Sequence, residues 1–104
     1  MASADQHLAR RLTYRTARVI QAVAQEPGAS NRRIAQLAEI KDEGQTSKLL
    51  HRLAAQGYLR KKAGAAGKPN AWYLTAQGRR LEEPAAQRVA EAAGRGRGGS
   101  RRGR

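Results

Sequence analysis

Five side chains within eight positions can hydrogen-bond base edges or phosphate oxygens: Gln45, Ser47, Lys48, His51 and Arg52. They offer amide, hydroxyl, ammonium, imidazole and guanidinium groups, with no carboxylate among them. That chemistry suits a polyanion, because phosphates accept hydrogen bonds and bases both donate and accept in the grooves. At about 100° per residue, Thr46, Leu49, Leu50 and Leu53 fall on one side of a helix, with Gly44, Ser47, Lys48 and His51 opposite and Gln45 and Arg52 on the flanks. Gly44 lets the start of such a helix approach a backbone closely. The candidate contact set on this helix is Gly44, Gln45, Thr46, Ser47, Lys48, His51 and Arg52.

Three further groups have the same character. Ser30, Asn31, Arg32 and Arg33 open the preceding helix. Arg60, Lys61, Lys62, Lys68 and Asn70 lie on a hairpin that follows. Arg95, Arg97, Arg101, Arg102 and Arg104 alternate with glycine and serine at the C-terminal end. The 104-residue chain carries a net charge of +13, and +8 remains without those five arginines. Such a surplus repels itself unless a polyanion is near, so nucleic acid is the first partner to consider. A membrane is excluded as partner, since the basic residues do not share a long helix with an aromatic or leucine face.

Catalysis and metal binding find no support. Cysteine is absent, which removes disulfides, thiolate nucleophiles and cysteine-based zinc sites. His7 and His51 stand far apart, with no ligand-spaced partners. Ser47 and His51 lack an orienting carboxylate, and Ser30 lacks a base. Glu82 and Glu83 are adjacent, so on a helix they diverge. Gly64, Gly67 and Lys68 lie in a hairpin, not between a strand and a helix as a phosphate loop requires. No catalytic residue, metal or cofactor is expected. The N-terminal residues have no apolar run, and no stretch approaches the roughly 20 apolar residues of a membrane span.

The elements that position these groups follow from periodicity. Thr13 is suited to cap a helix over 14–25, with Thr16, Val19, Ile20 and Val23 as its inner stripe, ended by Pro27 and Gly28. Ser30 caps a helix over 31–38, with Ile34, Leu37 and Ala38 inward. Asp42, with Gln45 three residues on, forms a capping-box pattern for a helix over 43–56, and Gly57 follows as C-cap. Residues 58–62 and 71–74 read as strands, joined by a Gly- and Pro-containing loop over 63–70. Leu59, Trp72 and Leu74 should point inward. Thr75 caps a last helix through Leu81, interrupted near Pro84, with a weaker extension over 84–93. Residues 1–11 are expected to be a flexible segment, and residues 94–104, which contain no apolar residue, a disordered basic tail.

The expected fold is mainly α with a small β-hairpin: a winged helix-turn-helix over 12–83. The segments 30–38, 46–53, Gly57-Tyr58-Leu59 and Leu74-Thr75-Ala76-Gln77-Gly78 resemble the winged helix-turn-helix of MarR-type regulators. Residues 12–16 and 67–72 also resemble a winged-helix module of actinobacterial regulators. The resemblance implies a cytoplasmic, nucleoid-associated bacterial protein that binds double-stranded DNA. In that reading the helix over 43–56 lies in the major groove, and the hairpin and tail meet the backbone or minor groove. Its role is then transcription regulation or DNA architecture. RNA binding through the tail and a protein-interaction module are the competing readings. The flanks are short and polar, so a monomer or weak homodimer is expected.

Overall fold

The computed structural model describes the backbone of residues 12–102 and side chains as far as Gly94. The expected flexible segment 1–11 and Arg104 lie outside the described residues. Helix α1 spans Tyr14–Gln25, α2 Asn31–Ala38 and α3 Glu43–Ala55. Strands β1, Leu59–Lys62, and β2, Ala71–Leu74, form an antiparallel hairpin, followed by α4, Ala76–Arg79, and α5, Glu82–Arg102.

Each of the first three helices starts where a side-chain oxygen satisfies free backbone N–H groups. Thr13 Oγ1 accepts from Thr16 N, Ser30 Oγ from Arg33 N, and Asp42 Oδ1 from both Gly44 N and Gln45 N. The inner faces then meet in one core. Val19, Ile20 and Val23 of α1 join Ile34 of α2, Leu50 and Leu53 of α3, and Leu59 and Trp72 of the hairpin. Thr16 is half-buried, so the stripe of α1 is completed by Ala17 and Ala22. In the hairpin Leu59 pairs with Leu74 and Lys61 with Trp72, which sets the expected apolar residues on the core side.

One contact was not in the sequence pattern. Ala29, in the α1–α2 connection, bridges to Trp72 and widens the hairpin: Gly28 N donates to Trp72 O, and Trp72 N donates to Ala29 O. The last helix divides in two. Pro84 has no N–H, and its ring would collide with the carbonyl four residues back, so a helix cannot run through Arg80 into it. A new helix instead starts at Glu82, leaving Pro84 in its first turn, where no donor is needed. Leu81, Ala85 and Val89 anchor α5 to the core and bring it against α1. Helix α5 continues to Arg102, further than the extension over 84–93 foreseen from sequence. Once the first turns are fixed, each further residue adds one hydrogen bond. No described residue beyond Val89 belongs to the core.

The base of the hairpin is tied down by the Thr75–Gly78 turn. Thr75 Oγ1 donates to Gly57 O at 2.6 Å and accepts from Gly78 N at 3.0 Å, and Thr75 N donates to Tyr58 O. A Cβ at Gly78 would lie 2.0 Å from Tyr58 O, so only glycine fits there.

Candidate nucleic-acid interface

Trp72 joins the three elements. It is fully buried, as expected for a core aromatic. Its Nε1 donates to Asn31 Oδ1, 2.5 Å away at the start of α2. Its ring meets that of His51 on α3 edge-on, with centroids 5.2 Å apart and planes 89° apart. Its cross-strand partner is Lys61. One indole therefore holds the beginning of α2, the outer face of α3 and the hairpin in one arrangement. His51 is held at both ends of this contact, since its Nδ1 also lies 2.9 Å from Ser47 O, one turn back.

Gly44, Gln45, Lys48, His51 and Arg52 are exposed and Ser47 is half-buried. Thr46 is not available: it is completely buried, and its hydroxyl donates to Asp42 O. Helical spacing sets its side chain on the leucine face, where it packs as a small β-branched residue. It is withdrawn from the contact set.

The capping-box pattern is only half used. Asp42 caps α3, while Gln45 Oε1 accepts from Arg15 Nη1 of α1 at 2.6 Å. Arg33 likewise differs from a free cation. Its Nε donates to both carboxylate oxygens of Glu26 at 3.0 Å, bracing the start of α2 against the end of α1. Arg32 faces Glu43 at 3.6 Å, and Arg18 faces Glu39 at 3.7 Å while donating to Leu37 O. Three of the carboxylates around the helix-turn-helix are thus matched by arginines, and Asp42 caps α3.

The α3 and hairpin cations are different. Among the described residues the side chains of Lys48, Arg52, Lys61, Lys62 and Lys68 make no hydrogen bond or ion pair. Arg60 stacks on Tyr73, its cross-strand partner, with its guanidinium carbon 4.9 Å from the ring centroid. Ser30 is occupied as a cap, and Asn70 is half-buried at the foot of the loop. Arg95, Arg97, Arg101 and Arg102 lie on α5 beyond the described side chains. Among the described residues, cations without a hydrogen bond or ion pair therefore line the outer face of α3 and the hairpin, with Lys41 and Arg79 elsewhere. Among the described residues no group of three or more His, Cys, Asp or Glu could hold a metal, and no helix is long and apolar enough to cross a membrane.

Arg15 was not among the contacts expected from the sequence pattern. Arg15 sits in the first turn of α1, thirty residues from Gln45, and only folding brings the two together.

No protein-family model matches the sequence, and no curated protein does either. Solved structures do match. The PcaV transcriptional regulator from Streptomyces coelicolor is 24% identical, with a TM-score of 0.64 over 75% of this chain and 57% of its own. BpsR of Bordetella bronchiseptica is 23% identical, with a TM-score of 0.67 over 80% of this chain and 65% of its own. A MarR-family transcriptional regulator from Silicibacter pomeroyi is 17% identical, with a TM-score of 0.67 over 90% of this chain and 67% of its own. The chain spans less than two thirds of the length of PcaV and of BpsR. Three helices, a hairpin locked to them through Trp72, and these superpositions lead to one conclusion: the chain has the MarR-type winged helix-turn-helix fold.

Proposed function

We propose that this chain is a transcriptional regulator that binds double-stranded DNA and has no enzymatic activity. One observation carries the proposal: the carboxylates Glu26, Glu39 and Glu43 are matched by arginines, while Lys48 and Arg52 of α3 and Lys61, Lys62 and Lys68 of the hairpin make no hydrogen bond or ion pair among the described residues. A face with uncompensated donors and a Trp-locked geometry suits a duplex better than it suits water. Helix α3 enters the major groove, with Ser47, Lys48, His51 and Arg52 toward bases or phosphates. Lys61, Lys62 and Lys68 meet the neighbouring backbone or minor groove. The start of α2 meets a phosphate through its backbone N–H groups, Arg32 and the Asn31 amide. The arginines from Arg95 onward add positive charge to the same chain. The fold is shared with PcaV, a transcriptional regulator, and with BpsR, whose DNA binding is regulated by 6-hydroxynicotinic acid.

The test is a binding titration against duplex DNA and RNA over a series of salt concentrations. Duplex binding should weaken with salt, with a slope of roughly 0.9 per phosphate contacted. Deleting residues 94–104 should flatten that slope and weaken specific and random duplexes alike. Stronger binding to RNA would move the function to RNA. Salt-insensitive behaviour with no binding to either would leave a protein-interaction module.

A further inference from the structure

Arg15 and Gln45 are both exposed, and Arg15 Nη1 donates to Gln45 Oε1 at 2.6 Å. An open groove of about 400 Å³ runs beside them between α1 and the helix-turn-helix. The chemistry of this contact fixes the amide's orientation. A guanidinium has donors and no acceptor, so the oxygen of the glutamine amide must face it and the NH2 must face away. The backbone beneath is held as well, since Gln45 N donates to Asp42 Oδ1.

A glutamine with both amide ends free recognises adenine, donating to N7 while accepting from the N6 amino group. With its oxygen turned toward Arg15, Gln45 presents its NH2, a donor, to a base. Guanine presents two acceptors in the major groove, O6 and N7, and no donor there. We infer that Arg15 makes Gln45 a one-sided reader that selects guanine over adenine at the base it meets. Arg15 is therefore a positioning residue that determines specificity from outside the helix-turn-helix. The inference rests on the reading of α3 as the major-groove helix.

The experiment is selection from a randomised duplex library, followed by titration of the selected sites. It uses the full chain and its Gln45→Ala, Arg15→Met and Arg15→Lys variants, each checked for folding by thermal melting. Gln45→Ala should lose preference at one position, which identifies the base read. Arg15→Met retains the aliphatic stem and frees the amide oxygen, so that position should move toward adenine by about tenfold relative to guanine. Arg15→Lys still donates and should retain guanine. If Arg15→Met weakens all duplexes equally with the preference unchanged, Arg15 is a brace or a phosphate contact and the inference fails alone. The same holds if the parent already selects adenine there. If the folded parent binds no duplex at any salt concentration, the DNA reading fails and takes this inference with it.

Discussion

The two sides of the helix-turn-helix use the same residue types differently. Where α2 meets α1, arginines face carboxylates: Arg33 grips Glu26, and Arg18 faces Glu39. On α3 and the hairpin, Lys48, Arg52, Lys61 and Lys62 have no such partner among the described residues. Arg33 and Arg52 look equivalent in a sequence, but a carboxylate one helix away makes one of them a brace. A basic residue thus becomes a candidate contact through what it lacks nearby, not through its charge alone.

Breaking the joint between the two sides should have the largest effect. Trp72→Ala removes a fully buried ring and leaves Asn31 without its donor, so it should cost about 3–5 kcal/mol of stability in urea denaturation. Trp72→Phe should cost clearly less. Equal losses for the two variants would mean that the Asn31 hydrogen bond, not ring volume, holds the joint.

Lys48→Ala and Arg52→Ala should melt like the parent and lose about 1–3 kcal/mol of duplex affinity each. The more selective loss will mark a base contact, and the uniform one a phosphate contact. Leu53→Ala on the opposite face of α3 should instead unfold the domain, at a cost of about 2–5 kcal/mol. Normal binding by both cation variants would remove α3 as the reading element.

The turn between α2 and α3 offers a smaller effect of opposite sign. Glu39 has φ 60°, the left-handed conformation that a side chain disfavours. Glu39→Gly should stabilise the fold by about 0.5–1 kcal/mol in the same denaturation experiment, because its exposed ion pair with Arg18 contributes little. A loss of stability would show that this ion pair outweighs the backbone cost.

The smallest effect sharpens the comparison most. Arg33→Ala should cost at most about 1 kcal/mol of stability and leave the salt dependence of DNA binding unchanged, since its charge is already matched by Glu26. A shallower salt slope, like that expected for Arg52→Ala, would place Arg33 on the DNA and erase the distinction between the two sides.

Local rules by themselves determined the elements of this protein. Side-chain oxygens at Thr13, Ser30 and Asp42 start helices whatever surrounds them, and apolar spacing names the faces that must be buried. The leucines of α3 and the indole of Trp72 were legible for that reason, as was the resemblance to a winged helix-turn-helix. Tertiary structure decided which polar groups remain free. Thr46 was lost to the core, Arg33 to Glu26, and Gln45 was claimed by Arg15 thirty residues away. Pro84 interrupts the C-terminal helix, as its sequence context indicates, and Leu81 and Ala85 anchor the new start against the core. The physical reason is one of range. Capping and amphipathicity act within a few residues, whereas the partner of a long flexible side chain is whatever the folded chain brings within about 3 Å of it.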